Sequence, residues 1–382
     1  MKKVYVLSQN IFSPLGTTAK ENFDALCKNE SGVQVYHDQQ KSAVPFCAAL
    51  FNAPVFQSRN EAFTLFEEIL TASIEDAVAL AGIDTRAADT VLVLSSTKGN
   101  ISMLEQQPVT DALKQEIGLT ASAQKIARHF GFQHPPVIVS HACISGTLAI
   151  ITAKRLLDAG KFKTVVVAGA DVITRFILSG FQSFQAVSDE LCRPFDAGRK
   201  GINLGEGAAT LVLSTDAAVN MEPVLISGGG VSNDANHISG PSRTGEELFM
   251  AIDRALKEAG VPAAAIDFIS AHGTATLYND DMESRAMNLA GLQEVPVNSL
   301  KGYYGHTLGA AGLLEAVISI ESLRNNTIIP TRGFEVPGTV MPLNVCRELI
   351  KKPLHACLKT TSGFGGCNAA IIIEKKFNSF KV

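Results

Sequence analysis

Charge is scarce in this 382-residue sequence, and its cysteines follow no pattern. Asp, Glu, Lys and Arg together make up 18%, against 46% hydrophobic residues. Much of the chain must therefore be interior, enough for one large core or two similar halves. A net charge of -4 excludes a general nucleic-acid binder; an acidic partner would need a local basic patch. The seven cysteines (27, 47, 143, 192, 346, 357, 367) contain no CxxC pair. That argues against a structural metal site and a disulfide framework, and for a reducing compartment. No stretch approaches the ~18 apolar residues of a membrane span. The opening Met1-Lys-Lys-Val-Tyr-Val-Leu-Ser-Gln9 has too short an apolar run for a secretory signal. The expectation is a soluble cytoplasmic protein.

What the chain does contain is a regular alternation of apolar β-branched runs and amphipathic segments. Residues 3–7, 91–95, 137–139, 165–168 and 208–214 read as strands, and residues 18–26, 63–81 and 144–159 as helices. Residues 35–60 read as surface connections, and 98–120 as a loop with a short helix. The pattern then restarts. Ser73-Ile-Glu-Asp-Ala-Val-Ala-Leu-Ala-Gly-Ile83 is echoed by Ala251-Ile-Asp-Arg-Ala-Leu-Lys-Glu-Ala-Gly-Val261, and Gly207-Ala-Ala-Thr-Leu-Val-Leu213 by Asn368-Ala-Ala-Ile-Ile-Ile-Glu374. Two α/β halves, 1–216 and 217–382, account for this; so would a coincidence between two alanine-rich helices. Near-continuous apolar strands imply sheets covered on both faces.

Four stretches carry chemistry. In Val137-Ile-Val-Ser-His-Ala-Cys-Ile-Ser-Gly146 a buried strand passes into a helix at Cys143. A helix start offers free N–H groups and partial positive charge, which lowers a thiol pKa. Cys143 is thus either a nucleophile, with no other thiol expected at a helix start in the site, or a small packed residue. Phe268-Ile-Ser-Ala-His272 ends a strand in a histidine, structural or functional. Lys301-Gly-Tyr-Tyr-Gly-His306 places a Lys and a His in a glycine-punctuated turn before a helix of small residues, where burial without a role is rare. Thr360-Thr-Ser-Gly-Phe-Gly-Gly-Cys-Asn368 is a glycine-rich loop before the last strand, able to aim N–H groups at an anion or simply to turn. Together they suit thioester chemistry, with an acyl group on sulfur and an enolate made nearby.

Nearly end to end, the chain resembles the β-ketoacyl-[acyl-carrier-protein] synthases of the thiolase superfamily. The matching stretches are Ala142-Cys-Ile-Ser-Gly146, Val167-Ala-Gly-Ala-Asp171, Arg193-Pro-Phe-Asp196, Leu204-Gly-Glu-Gly207, Ala271-His-Gly-Thr-Ala-Thr276 with Asn279, Asp280 and Glu283, Lys301 with Gly305-His306, and Gly363-Phe-Gly-Gly366 with Asn368. The resemblance implies a five-layer α/β/α/β/α fold of two pseudo-repeated halves, usually dimeric, and no metal. It implies that Cys143 takes an acyl chain from a phosphopantetheine thioester on an acyl carrier protein. Backbone N–H groups of Cys143 and Phe364 would form the oxyanion hole. His272 and His306 would promote malonyl decarboxylation, and Lys301 would orient the site with support from Glu315. Thr274 and Thr276 would hold the pantetheine arm, and Phe364 would gate an acyl pocket to which Ser362 contributes. No cofactor is implied beyond the carrier-borne phosphopantetheine, and no nucleic acid or membrane; the dimer could be homomeric or pair with a related subunit.

The departures from that pattern are specific. His141 stands where Thr is usual and is expected to pack. Ala275 replaces a common Gly, Ser362 a Phe, Cys367 a Thr, and Gln185 an Arg often used in carrier contact. The segment between residues 96 and 136 is short, which leaves chain length open between fatty-acid and specialised polyene-type products. A thiolase would share the fold and could use Cys367 as its second thiol, but Lys301 and His306 point away from it. A non-catalytic partner subunit would lack the nucleophile.

Overall fold

The computed structural model describes residues 2–51, 63–217, 222–235 and 239–376. Its main sheet has ten strands: β1 (Tyr5–Phe12), β2 (Thr90–Ser95), β3 (Val137–Val139), β4 (Thr164–Asp171), β5 (Gly207–Ser214), β6 (Val224–Asn233), β7 (Phe268–Ser270), β8 (Val297–Asn298), β9 (Ala356–Gly363) and β10 (Cys367–Lys375). The order across the sheet is β8-β7-β9-β10-β6-β1-β5-β4-β2-β3. From the middle outward, both sides read first, fifth, fourth, second, third strand. Directions match too: on each side the fourth strand runs parallel to the second and antiparallel to the fifth. The two sides meet at the pair Tyr5–Leu225.

Six helices organise the rest: α1 (Leu65–Ala81), α2 (Ser145–Asp158), α3 (Arg175–Ser183), α4 (Glu246–Ala259), α5 (Leu277–Leu289) and α6 (Ala311–Asn325). The helices α2 and α6 pack on one another, and each touches strands from both sides of the sheet. Outside them, α1 covers β1, β4 and β5, while α4 covers β6, β9 and β10. This is the five-layer α/β/α/β/α arrangement. A central layer has no solvent face, which is why α6 is buried nearly all round, from Ala311 to Leu323. By contrast α4 has an exposed side and buries Leu248, Ala251, Ile252 and Ala255 at helical spacing.

The helix ends follow from local chemistry. Thr64 and Glu67 form a capping box at the start of α1, and Gly82 ends it in the left-handed region. No side chain caps the start of α2, so its N-terminal N–H groups remain available. Among the described residues no helix is long and apolar enough to cross a membrane.

Several sequence expectations need correction. The strand at 137–139 is an edge strand, not a buried one: it pairs with β2 alone, and Val137 and Ile138 are half-buried. Residues 360–363 belong to β9, so the expected loop shrinks to 364–366. Residues 34–36 and 46–49 form strands of a small sheet with residues 204–205, where surface connections were expected. Phe46–Ala49 is fully buried there; residues 52–60 of that stretch lie outside the described residues.

Candidate active site

The last residues of β3 lead directly into the turn before α2, with Ala142 at φ 45°. That left-handed conformation is costly for a residue with a Cβ, and such strain is concentrated at functional turns. It presents the Cys143 sulfur to the cleft. Opposite, β7 ends at Ser270 and delivers His272, and the turn ahead of α6 delivers His306. The contacts are close: His306 Nε2 lies 2.9 Å from Cys143 Sγ. The His272 and His306 rings are 5.2 Å apart at 83°. The ligand atoms of all three residues fall within 4.8 Å of one another.

The turn between β9 and β10 closes on the sulfur. The Phe364 N–H donates to Cys143. A Cβ at Gly363 would lie 3.0 Å from the Cys143 nitrogen, so only glycine lets the two turns approach this closely. Both N–H groups expected to form an oxyanion hole thus border the Cys143 sulfur. A second thiol shares the helix start, contrary to expectation: the Ile144 N–H donates to Cys367 sulfur, and Cys367 donates to the Phe364 carbonyl at 3.4 Å.

Burial dominates the electrostatics. The Cys143 thiol is pushed up to about 12 by burial, with Cys367 adding to the rise and Lys301 and the Phe364 N–H opposing it. The helix start therefore does not leave a resting thiolate, as the sequence had suggested; desolvation of the charge outweighs it. His272 is held well below its usual value by burial, then by Lys301, His306 and Lys359; His306 likewise by burial, Lys301 and Lys359. Both imidazoles are neutral at pH 7. The three ligand atoms are spaced as for a soft cation. However, neither Nδ1 has a hydrogen-bond partner, and two ammonium groups stand nearby, so the residues do not fit a resident metal.

The support is dense. Lys301 pairs with Glu315, and the other oxygen of Glu315 lies 2.6 Å from Lys359 Nζ. Glu283 accepts from the N–H of His272 at 2.8 Å and of Gly273 at 2.6 Å. Asp171, pushed up to about 6 by burial, accepts from Ser96, Thr97, Lys98 and, at 2.7 Å, the Gly309 N–H, tying β4 to the turn that carries His306. Ala275, in place of glycine, sits at φ 59°.

A cleft of about 520 Å³ opens on the trio and is lined also by Thr274, Thr276, Ser362, Phe364 and Gln185. Thr274 and Thr276 hydroxyls bond each other at 2.8 Å. Ser362 Oγ donates to Asn368 at 2.7 Å. Every singled-out residue thus lies in the cleft or directly behind it, whereas His141 is exposed rather than packed. Sequence reasoning missed Phe181 and Phe184, whose rings lie 5.6 and 5.2 Å from Phe364. Their signal was the Phe/Gln-rich segment 176–187, at and just beyond α3. It also missed Lys359, a lysine inside an apolar strand.

Family models give the same reading over most of the chain. The model of the beta-ketoacyl synthase N-terminal domain matches residues 1–218, and that of the C-terminal domain residues 224–335. The chain belongs to the β-ketoacyl synthase family. Among its relatives in that family, 3-oxoacyl-[acyl-carrier-protein] synthase 2 of Vibrio cholerae is 27% identical, with 98% of this chain and 99% of that one covered. The enzyme of the same name from Rhizobium meliloti is 34% identical over 67% of this chain and 64% of its own length. The similar solved structures include the ishigamide ketosynthase/chain length factor, at 25% identity and TM-score 0.88 over 98% and 100% of the two chains. A ketosynthase in complex with its chain length factor from Xenorhabdus doucetiae matches at 26% and 0.85, over 98% of each.

Proposed function

We propose that the chain is a 3-oxoacyl-[acyl-carrier-protein] synthase. The observation that carries this is the 2.9 Å contact of His306 Nε2 with Cys143 Sγ, beside His272 and under the Phe364 N–H. In the first half-reaction neutral His306 takes the Cys143 proton as the acyl thioester arrives, because the thiol does not ionise alone. Sulfur attacks the thioester carbonyl, and the proton leaves with the departing pantetheine thiol. The N–H groups of Cys143 and Phe364 hold the oxyanion.

In the second half-reaction malonyl-thioester loses CO2. The electron pair left behind forms an enolate whose oxygen is held by the N–H of His272 and by His306 in the tautomer that carries its proton on Nε2. The nucleophilic carbon attacks the acyl-Cys143 carbonyl, sulfur leaves as a thiolate that takes a proton from solvent through His306, and a 3-ketoacyl chain two carbons longer is released. Lys301 and Glu315 fix the surroundings, Thr274 and Thr276 line the path of the pantetheine arm, and Phe364 gates the acyl pocket with Ser362 behind it. The partner is an acyl carrier protein in a cytoplasmic setting; all seven cysteines are free. We take the boundary between halves near residue 216, which the family models ending at 218 and starting at 224 support. A dimer with a copy or a related subunit completes the reading; the intact trio favours the catalytic rather than the partner role.

The test is incubation with malonyl-carrier and a ladder of acyl-carriers, read by intact-mass spectrometry. Acylation at Cys143 followed by condensation is expected. Acyl-protein without any condensation across the ladder would overturn the assignment.

A further inference from the structure

Glu315 is one carboxylate between two ammonium groups. Lys301 meets Oε1, and Lys359 Nζ lies 2.6 Å from Oε2; both lysines are 0% exposed. Burying a charge is costly unless it is paired and hydrogen-bonded. Lys301 and Glu315 alone would already be a neutral pair, so the second lysine needs its own explanation.

Its remaining contacts supply one. Lys359 Nζ donates to the carbonyls of Thr360 at 2.8 Å and of Ser270 and Ala271 at 3.2 Å. The Ala271 carbonyl belongs to the peptide that carries His272. The N–H of the same peptide donates to Glu283 Oε1, and the next N–H, of Gly273, to Glu283 Oε2. That peptide is therefore held at both poles, its oxygen by an ammonium and its nitrogen by a carboxylate. Thr360 ties the two holders together, since its carbonyl accepts from Lys359 and its hydroxyl donates to Glu283 at 3.3 Å. Beyond the peptide, His272 faces His306 across the 5.2 Å between their rings. A fixed positive charge behind this pair also favours negative charge developing in front of it.

We infer that Lys359 is a positioning residue for the decarboxylation half-reaction, acting through the backbone of His272. This rests on the proposed synthase activity. It separates the half-reactions, because Lys359 bonds the peptide that carries His272 and reaches His306, the base of acyl transfer, only through its charge, whereas enolate formation uses both histidines.

The experiment compares wild type with Lys359→Met, which keeps length and loses charge, and with Lys359→Gln, which keeps hydrogen-bond donors should the first variant not fold. Each is assayed for acylation of Cys143 from acyl-carrier and for CO2 release from malonyl-carrier. Acylation is expected within about twofold of wild type. The kcat of CO2 release should fall roughly 10²-fold, as for a misplaced catalytic group, with KM for malonyl-carrier within about twofold. An equal fall in both half-reactions, or no fall in either, overturns the inference. Absence of CO2 release by wild type would instead overturn the synthase reading itself.

Discussion

The central helix pair makes the site sensitive to a single methyl group. Gly146 lies three residues beyond Cys143 in α2, and a Cβ there would stand 2.6 Å from Leu313 N and 3.0 Å from Gly309 O. Both atoms belong to the segment that follows His306. Carbon needs roughly 3.5 Å from such neighbours, so Gly146→Ala must drive α2 and the start of α6 apart by about 1 Å. The wedge acts between the two segments that carry the sulfur and the imidazole proposed as its base, and it stretches the 2.9 Å Sγ···Nε2 contact. Overpacking of this kind costs about 1–3 kcal/mol of stability, and a displacement of that size costs about 10²-fold in rate. The assay is acyl-Cys143 formation followed by mass spectrometry, alongside denaturant unfolding of the same preparation. A folded variant that acylates at the wild-type rate would refute the reasoning, showing that the contact is dispensable or that the helices slide without moving it.

Other outcomes follow from the same geometry. Cys143→Ala should abolish trapping of labelled acyl groups, even though Cys367 shares the helix start; label retained at the wild-type level would move the nucleophile elsewhere. His272→Ala should spare acylation and lower CO2 release by roughly 10²–10³-fold, the loss typical of an oxyanion donor, while His306→Ala should lower both half-reactions; an unchanged rate of CO2 release in either variant would remove that histidine from the mechanism. Because burial and the two lysines hold both histidines well below their usual value, lowering the pH from 8 to 6 should not protonate them, and kcat for CO2 release should stay flat where an ordinary histidine of pKa ~6.5 would lose most of its neutral form; a fall centred near 6.5 contradicts the burial argument. Ser362→Phe should penalise long or rigid acyl chains more than short ones, by about 1–3 kcal/mol, and equal loss across a chain-length series would show that Ser362 lines no part of the acyl path.

The site was legible where local pattern and chemistry coincide. Cys143 stands at a strand-to-helix change, and His272 at a strand end. Lys301 and His306 sit in a glycine-punctuated stretch before a helix of small residues, although residues 301–304 form a short helix rather than a turn; each signal lies within a dozen neighbouring positions. What stayed hidden depends on residues far apart in sequence. The state of the Cys143 thiol is decided by burial, which outweighs the opposing Lys301 charge and Phe364 N–H and which no property of the helix start reveals. Residues 360–362 looked like a loop because of the glycines after them, yet pairing with residues 368–370 makes them strand. Residues 137–139 are apolar enough for a central strand, but the sheet ends there and Val137 is half-exposed. Lys359 was not singled out in the sequence at all, because the partners that give it a role lie far away, in α6 and at the end of β7. Phe181 and Phe184 were visible as composition, without any hint that they meet Phe364.

The order in which the parts of this cleft are synthesised has its own consequence. Cys143 leaves the ribosome long before His272 and His306, and the Phe364 amide follows them. The central helices that bring sulfur and imidazole together each rest on strands from both sides of the sheet, and β10, the ninth-to-tenth turn's far strand, is completed last. Before those parts are in place Cys143 is a solvated thiol of ordinary acidity, with no base beside it and no donor above it. Folding raises the cost of ionising the sulfur and in the same step supplies an imidazole within reach of its proton, so the finished site exchanges the indiscriminate reactivity of a free thiol for reactivity confined to what the cleft holds.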